Sequence, residues 1–247
     1  MRRGICKLSI IPMRKEMSHE SELVSELLYN DIYEILEDNN KWLRIRCEYD
    51  SHEGWIRSIQ HSELTESEYS EIISKDRFIT KEAFTSYNGN ILSFGSEIFE
   101  SNSACHKVRN ELDTNIMVES AIKLLNTPYR WGGKSIMGID CSAYVQLCVK
   151  IAGFKLPRDA SQQVEFGIII NSLSESRAGD IAFFDNEKGK ITHVGILLSN
   201  DKIIHASGKV RIDNIDNKGI FNKDINMYTH KLRIIKRLEE KQSIEII

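Results

Sequence analysis

The sequence lacks an uninterrupted apolar stretch of the roughly 18 residues that a membrane-spanning helix needs. It therefore predicts no transmembrane helix. The N-terminal stretch MRRGICKLSIIPMRKE begins with basic residues, but Lys7, Ser9 and Pro12 interrupt its short apolar run, which is unlike the core of a signal peptide. We therefore expect a cytoplasmic protein. A secreted or periplasmic protein would fit only if a signal peptide had been removed.

The sequence also lacks an excess of charge of either sign. Its 33 Lys and Arg against 36 Asp and Glu give a net charge of −3, and no basic block flanks an aromatic cluster. This balance argues against nucleic acid and against a membrane surface as partners. The 41% hydrophobic and 28% charged composition is that of an ordinary globular protein, and 247 residues suffice for one large domain or two to three small ones.

Cysteine is scarce and follows no metal-binding or redox pattern. The five cysteines are irregularly spaced and form no CxxC pair, so zinc and redox motifs have no support. In a reducing compartment they would be free thiols, and the default role of a free cysteine is a small buried hydrophobe. They are Cys6, Cys47, Cys105, Cys141 and Cys148.

Residues 1–64 show the patterns of short strands. The stretch KWLRIRCEY alternates between two faces with the period of a half-buried strand, and turns recur often enough to predict a small barrel. Trp42 after a turn, and EGW at 53–55 before the last strand, resemble a bacterial SH3-like domain. Residues 65–111 combine a helical stretch with an Asn-Gly turn signal, and we interpret them as a connector or a degenerate second SH3-like region.

From residue 112 to 247 the pattern changes to helices followed by strands. TNIMVESAIKLLNTPY predicts an amphipathic helix that ends before Pro128, and a second helix is predicted from about Ser142 to Ala152, with Gly153 ending it. RAGDIAFF, THVGILL, IIHAS and KLRIIKRL predict strands. Helices followed by an antiparallel set of strands indicate an α+β domain.

Three of the 14 glycines, at positions 132, 133 and 138, precede Cys141 in YRWGGKSIMGIDCSAYVQLC. Because glycine lets the backbone approach another group closely, this run predicts a loop shaped around a site and around its bound ligand. GGKS is not a P-loop, since Pro128 stands where that motif needs glycine. No strand precedes the loop, as a dinucleotide site would require.

Asp140 is a good N-cap residue, which places Cys141 in the first turn of the second predicted helix. There the helix dipole and the free backbone amides are expected to lower the pKa of the thiol and to receive a developing oxyanion. Cys148 lies two turns further along the same predicted apolar face, and we interpret it as packing only.

A thiol nucleophile needs a base and a group that orients the base. His193 begins THVGILL and His205 lies in IIHAS. A two-residue turn between them would put the two side chains on opposite faces, whereas a three-residue loop or a bulge would put His205 opposite Gly195, on the face of His193. A catalytic pair therefore predicts the irregular turn, although strand histidines are more often structural. His230 is expected to face solvent.

Taken together and in this order, the motifs from about 117 to 237 resemble those of the NlpC family of papain-like cell-wall cysteine peptidases. The resemblance implies a papain-like α+β catalytic domain that uses no metal and no organic cofactor. It implies that Cys141 is the nucleophile, His193 the general base and His205 the polar residue that orients His193. The residues that it places at the oxyanion or at the substrate are Tyr129, Asp140 and Ser142.

The stretch LPRDASQQ at 156–163, together with the SH3-like region, resembles the dipeptidyl-peptidase VI group of that family. This resemblance implies that Asp159 binds the substrate's amine, and that Glu22 and His52 of the SH3-like region close the far end of the groove. Asp159 has an alternative role as a cap of the helix that follows, and Glu22 as a solvated acid.

The group's activity is hydrolysis of the γ-D-Glu–diamino acid bond in peptidoglycan stem peptides with a free N-terminal L-Ala, which releases L-Ala-D-Glu. The expected partner is therefore a small peptidoglycan-derived peptide, with either L-lysine or meso-diaminopimelate at its third position. One alternative is an endopeptidase or wall-binding protein that acts on intact peptidoglycan. Another is an acyltransferase or amidase of the same fold. The sequence is compatible with any oligomeric state.

Overall fold

The structure, a computed structural model, describes residues 2–101, 103–108 and 111–239. These residues form two compact units, one within Met1–Val108 and Trp131–Gly138, the other within Arg109–Arg130 and Ile139–Glu245. The domain boundaries after residues 64 and 111 stay predictions. Residues 102, 109 and 110 of the predicted connector, and 240–247 of the predicted catalytic domain, lie outside the described residues.

The first unit begins with a seven-stranded antiparallel sheet whose neighbours run β3-β2-β6-β5-β4-β1-β7. Its strands are β1 (Arg3–Ile5), β2 (Ile10–Arg14), β3 (Leu23–Leu28), β4 (Ile32–Asp38), β5 (Trp42–Cys47), β6 (Glu53–Arg57) and β7 (Glu63–Leu64). The alternation expected in β5 buries Leu43, Ile45 and Cys47, which pack in the interior with Ile11 and Ile56. This confirms the small SH3-like barrel.

The rest of the first unit contains a helix and three small sheets. Helix α1 (Glu66–Ile73) begins at a capping box between Thr65 and Glu68. The remaining strands are β8 (Phe78–Thr80), β9 (Phe84–Tyr87), β10 (Asn90–Ser93), β11 (Glu97–Ile98), β12 (Cys105–Lys107) and β13 (Lys134–Ser135), the last pairing with β14 (Gly138–Ile139). Between β9 and β10, Asn88 and Gly89 both have positive φ, as the Asn-Gly signal predicts for a hairpin turn.

The second unit has three helices: α2 (Thr114–Lys123), α3 (Cys141–Ile151) and α4 (Ala160–Gln163). Helix α3 starts and ends within one residue of its predicted bounds, and Gly153 follows it with positive φ. The expected amphipathic pattern of α3 was wrong, because every one of its residues is buried, Gln146 and Lys150 included. The cause is that α3 packs against α2, α4 and two strands of the sheet.

Those two strands belong to a sheet with the order β15-β21-β16-β17-β18-β19-β20, in which β20 also pairs with β21. The strands are β15 (Ile168–Ile170), β16 (Ile181–Asp185), β17 (Ile191–Leu197), β18 (Lys202–Ser207), β19 (Lys209–Asp216), β20 (Gly219–Asn222) and β21 (Met227–Arg237). The extra pairing closes β16–β21 into a six-stranded barrel around Phe184, Leu197, Ile203 and Ile220. The α+β class is confirmed, whereas the closure of the sheet was not predicted.

Candidate active site

Cys141 is the first residue of α3, as its position after an N-cap aspartate predicts. Asp140 has extended backbone angles, and its Oδ1 accepts a hydrogen bond from the Ala143 backbone N–H at 2.8 Å. The cysteine is 7% exposed. Cys148 is fully buried further along the same helix, which agrees with a packing role. All five cysteines are free.

The environment of the Cys141 thiol raises its pKa to about 12, and burial is the main cause. The charge of Asp140 raises the pKa further, while backbone hydrogen bonds from Val194 and Ser142 lower it. The expectation of a lowered thiol pKa was therefore wrong. Removal of water from the thiolate outweighs the helix N-terminus, because burial penalises the charged form directly.

His193 and His205 lie on the adjacent strands β17 and β18 and are hydrogen-bonded to each other. Nε2 of His193 lies 2.9 Å from Nδ1 of His205. Leu197 pairs with Ile203, so residues 198–202 lie between the last paired positions, and His205 comes opposite Gly195. This is the register that the irregular turn predicts, and it is confirmed.

Gly195 is needed at this position because the side chains of His205 and Ile203 pack closely against it. A Cβ added there would come within 2.8 Å of Cβ of His205 and of Cδ1 of Ile203. Both histidines are buried, His193 at 5% and His205 at 1% exposure. Burial holds the pKa of His193 well below its ordinary value, and the neighbouring His205 and His230 lower that pKa further. The thiol of Cys141 and the imidazole of His193 are therefore both neutral at neutral pH.

Asp213 extends this chain of hydrogen bonds and was not found from the sequence. Its Oδ2 lies 3.1 Å from Nε2 of His205, and its carboxylate also accepts from Arg211 at 2.6 and 2.8 Å. Burial lowers the pKa of His205, against the opposing effect of Asp213. The sequence gives no signal for this residue, because Asp and Asn in RIDNIDNKG are residues typical of turns.

His230 was expected to face solvent, and this was wrong. It lies in β21, which begins earlier than the KLRIIKRL motif suggests, and its ring stacks on that of His193 with centroids 3.9 Å apart and planes at 24°. Burial lowers the pKa of His230 to about 4. The pairing of β21 with β16 and β20 brings His230 to this position, so no local pattern could reveal it.

Tyr129 lies near the nucleophile. Its backbone N–H donates to the Gly208 carbonyl at 2.9 Å, just beyond the end of the strand that carries His205. The side chain is half-buried, and burial raises the pKa of its hydroxyl to about 12, with further contributions from Cys141 and Asp140. The structure thus brings Tyr129 together with Cys141, as the resemblance implies.

Asp140 and Ser142 are bound by a buried arginine that sequence reasoning missed. Arg158 is 1% exposed, and its guanidinium donates to both carboxylate oxygens of Asp140 at 3.0 and 2.6 Å and to Oγ of Ser142 at 2.9 Å. Both predicted subsite residues are therefore fixed in place by one cation. The LPRDASQQ motif contains this arginine, but its role depends on the ion pair with Asp140, which the motif does not include.

Asp159, next to Arg158, occupies the N-cap position of α4 with an exposed side chain that makes no capping hydrogen bond. The alternative that its side chain caps this helix was therefore wrong. Its predicted role in binding the substrate's amine stays a prediction.

Glu22 and His52 belong to the first unit. Glu22 accepts a hydrogen bond from Nε1–H of Trp131 at 2.8 Å and one from Nζ of Lys15 at 3.2 Å. Both hydrogen bonds lower the pKa of Glu22, and the bond from Trp131 has the larger effect. His52 directly precedes β6, and its backbone N–H donates to Oδ1 of Asp50 at 3.0 Å. Their role at the substrate stays a prediction.

The glycine loop at 131–138 is held by the first unit. Gly132 has a φ of 73°, and a Cβ there would lie 2.1 Å from the carbonyl oxygen of Leu23, so the observed close approach is to β3. The lysine of GGKS, Lys134, is 2% exposed. Its backbone N–H donates to Glu26, and its Nζ lies 3.6 Å from Asp31. This buried ion pair is a structural role, in line with the exclusion of a P-loop.

The described part of the chain contains no cluster of three or more His, Cys, Asp or Glu side chains that could hold a metal ion. Within those same residues, no helix has the length and apolar character needed to cross a membrane.

Parts of the chain match known protein families. Residues 126–229 match the model of the NlpC/P60 family, and residues 13–60 match that of the bacterial dipeptidyl-peptidase SH3 domain. The chain is 25% identical to dipeptidyl-peptidase 6 of Lysinibacillus sphaericus, over 79% of this chain and 85% of that protein.

Two other relatives match only part of their length. Identity is 32% to the gamma-D-glutamyl-L-lysine dipeptidyl-peptidase of Bacillus subtilis, over 46% of this chain and 38% of that protein. It is 37% to the probable endopeptidase NlpC homolog of Haemophilus influenzae, over 46% of this chain and 63% of that protein. The chain thus spans less than two thirds of both.

Among solved structures, an NlpC/P60 family protein from Bacillus cereus superposes with a TM-score of 0.77 at 14% identity, covering 95% of this chain and 99% of that one. An NlpC/P60 endopeptidase from Photobacterium damselae gives a TM-score of 0.68 at 16% identity, covering 94% and 70%. At sequence identities this low, the similarity of the structures shows a shared fold alone. Residues 126–229 of this chain therefore form an NlpC/P60 domain, and residues 13–60 form a bacterial dipeptidyl-peptidase SH3 domain.

Proposed function

We propose that this chain is a cysteine peptidase with Cys141 as nucleophile, His193 as general base and His205 as the group that orients His193. The observation that carries the proposal is the buried hydrogen bond between His193 and His205, which lie on two strands that pack against the helix beginning at Cys141. A nucleophile, a base and an orienting group in this order are the parts that nucleophilic catalysis needs.

The neutral resting state sets the order of events. Because the thiol and the imidazole are both uncharged, the Sγ–H proton moves to His193 as Sγ attacks the scissile carbonyl carbon. Backbone N–H groups in the first turn of α3 receive the oxyanion. His193 then gives its proton to the leaving amine, and a water molecule, deprotonated by His193, hydrolyses the acyl-enzyme.

For the substrate we propose the γ-D-Glu–diamino acid bond of peptidoglycan stem peptides with a free N-terminal L-Ala, with L-Ala-D-Glu as the released product. The match to a bacterial dipeptidyl-peptidase SH3 domain, and relatives named for dipeptidyl-peptidase activity, support this choice. The exposed carboxylate of Asp159 makes no capping hydrogen bond to α4. It therefore offers an anionic group that suits the ammonium of a free N-terminus. A cytoplasmic role in recycling such peptides goes with this proposal.

The test is mass spectrometry of products from L-Ala-γ-D-Glu-L-Lys and its meso-diaminopimelate counterpart, each with a free or an acetylated N-terminus. The wild-type chain should release L-Ala-D-Glu from the free peptides only. Cys141→Ala should abolish release, whereas Cys148→Ala, a matched loss of a buried thiol in the same helix, should retain it. No product from any peptide would reject the proposed peptidase.

An endopeptidase that acts on intact peptidoglycan is the second candidate, favoured by the 37% identity to a probable endopeptidase. Such an enzyme tolerates a blocked N-terminus. Equal cleavage of acetylated and free peptides would therefore select it, and would remove Asp159, Glu22 and His52 from the substrate-binding residues.

A further inference from the structure

We propose that Asp213 is a positioning residue that fixes the tautomers of His205 and His193, and so leaves Nδ1 of His193 free to take the thiol proton. Its catalytic consequence rests on the proposed function. The tautomers themselves do not, because they follow from hydrogen bonds within the second unit.

The hydrogen bonds form a continuous chain across three adjacent strands. Nε2 of His193 on β17 lies 2.9 Å from Nδ1 of His205 on β18, whose Nε2 lies 3.1 Å from Oδ2 of Asp213 on β19. All three side chains are at most 5% exposed. Water therefore does not compete for these positions.

The proton positions follow from the end of this chain. Asp213 is a carboxylate, since hydrogen bonds from His205 and Arg211 lower its pKa to about 2 although burial alone would raise it. A carboxylate only accepts, so Nε2 of His205 carries a proton. In neutral His205 the other ring nitrogen, Nδ1, then has no proton and accepts from Nε2–H of His193. Neutral His193 is left with an unprotonated Nδ1.

Orientation, rather than charge, is the main contribution of Asp213. Arg211 donates to both of its carboxylate oxygens, through Nε at 2.6 Å and Nη2 at 2.8 Å. Arg211 offsets the charge of Asp213 as seen from His193. The second carboxylate bound to Arg211, that of Asp224, is 73% exposed and screened by water, so the cluster adds little Coulombic attraction for an imidazolium. The hydrogen bonds from Arg211 hold the Asp213 carboxylate in position to accept from Nε2–H of His205.

The charged and titratable groups that face His205 come from every strand packed around it. They are His193 on β17, Arg211 and Asp213 on β19, and His230 on β21, whose ring centroid lies 5.8 Å away. The two rings are neutral, since burial lowers the pKa of each, and the remaining two side chains form the ion pair. No group in this set forces a second proton onto His205.

The proton transfer balances without any further reactant. The Sγ–H bond of Cys141 breaks and an Nδ1–H bond of His193 forms, while Sγ bonds to the carbonyl carbon of the substrate. Imidazolium His193 keeps its Nε2–H bond to His205, so the rest of the chain does not rearrange. The inverted tautomer of His193 would present an N–H to the thiol and could not accept its proton.

The experiment is ¹⁵N NMR of the histidine ring nitrogens in the full chain, assigned with single His→Gln variants, for wild type and for Asp213→Asn, Asp213→Glu and Asp180→Asn. Wild type should show unprotonated Nδ1 in both His193 and His205. Asp213→Asn should change these tautomers and lower kcat about 10- to 100-fold, with KM little affected and the pH–rate profile altered, as tautomer errors do elsewhere. Asp213→Glu should restore the tautomers and part of kcat.

Asp180→Asn is the matched control, because Asp180 forms a comparable buried carboxylate–guanidinium pair with Arg237 at 2.7 Å in the same unit. It should lower stability but leave the tautomers and the pH–rate profile unchanged. A proton on Nδ1 of wild-type His205, or unchanged tautomers and kcat in Asp213→Asn, would overturn the proposal. The expected tautomers in a chain that cleaves no peptide would support it and reject the proposed function instead.

Discussion

Cys141, His193 and His205 are each less than a tenth exposed, and burial controls the protonation of all three side chains. Both the thiolate and the imidazolium lose more hydration than the surrounding amides replace, so the pKa of the thiol rises to about 12 while the pKa values of the imidazoles fall. The thiol and the two imidazoles are thus uncharged at neutral pH.

The first prediction at this scale concerns the reactivity of Cys141. The rate of its alkylation by iodoacetamide should rise with pH throughout the range in which the protein stays folded, because a pKa of about 12 leaves little thiolate at neutral pH. Mass spectrometry of the alkylated peptide gives the rate, with Cys148→Ala as the background. A plateau of the rate below pH 7 would show a thiolate–imidazolium pair instead.

The second prediction concerns acid stability. The pKa values of His193, His205 and His230 are lowered by burial, that of His230 to about 4, so the unfolded chain binds their protons first as pH falls. Their contribution is fully present above pH 6.5, the ordinary histidine value, and is lost as pH falls toward 4. Asp213, with its pKa of about 2, adds a further loss below about pH 3.8.

His230→Phe tests this, because phenylalanine keeps a ring against His193 and does not titrate. Its Tm should fall less than that of wild type between pH 6.5 and 5, as measured by thermal unfolding. Equal pH slopes in the two proteins would contradict a buried, neutral His230.

Some site residues could be predicted from the sequence and others could not, for a physical reason. Cys141 follows a capping aspartate, and His193 and His205 lie in recognisable strands, so local patterns identify them. Arg158 and His230 acquire their positions from partners distant in the chain. Sequence patterns report local structure, and these contacts are not local.

At the scale of elements, the β17–β18 hairpin aligns the two histidines through its loop and through Gly195. Since side chains alternate between the two faces of a sheet, a one-residue change in register would turn His205 away from His193. Gly195 provides the space that Cβ of His205 and the side chain of Ile203 need.

We therefore predict that Gly195→Ala displaces His205. The added methyl group would meet Cβ of His205 at 2.8 Å, and such overpacking costs about 1–3 kcal/mol. Peptidase activity should fall by more than the loss of folded protein explains. Gly189→Ala is the control, because its φ of 74° makes alanine strained there while the space around it is open. It should lower stability and keep activity; equal activity of the two variants would contradict this role for Gly195.

Among the elements, α3, β16, β17 and β18 could be predicted, and β19 and β20 could not. The former have continuous apolar patterns, whereas β19 and β20 lie in a stretch rich in Asp, Asn and Gly. Strand pairing in a barrel overrides these turn propensities, because the neighbouring strands already supply the hydrogen-bonding partners.

At the scale of the whole molecule, the chain returns to its first unit at Trp131–Gly138 after the second unit has begun. Lys134 of this segment is buried with Asp31 of the barrel, their side chains being 2% and 5% exposed. The first unit is therefore completed by residues far along the sequence.

Lys134→Met should accordingly destabilise the protein by about 3–5 kcal/mol, because it removes a buried positive charge that lies beside the buried carboxylate of Asp31. Lys107→Met is the matched control. Its pair with Asp76 has side chains 56% and 62% exposed and should be worth no more than about 1 kcal/mol. Denaturant unfolding of both variants gives the comparison, and similar losses would show that Lys134 is not held by a buried ion pair.

The α+β class and the SH3-like barrel could be predicted from the order and period of the motifs, whereas closure of the second sheet could not. Closure depends on the pairing of β20 with β21 and of β21 with β16, and a strand's neighbours are not encoded by its own apolar period. Two short bulges in β21 help it to follow the curvature.

Barrel closure also has a consequence for the order of events on the ribosome. Cys141, His193 and His205 emerge before β21, yet the ring that stacks on His193 is carried by β21 itself. The nascent chain therefore holds an incomplete site until Met227–Arg237 has left the exit tunnel and docked. Completion of the site then coincides with the last long-range pairing of the sheet.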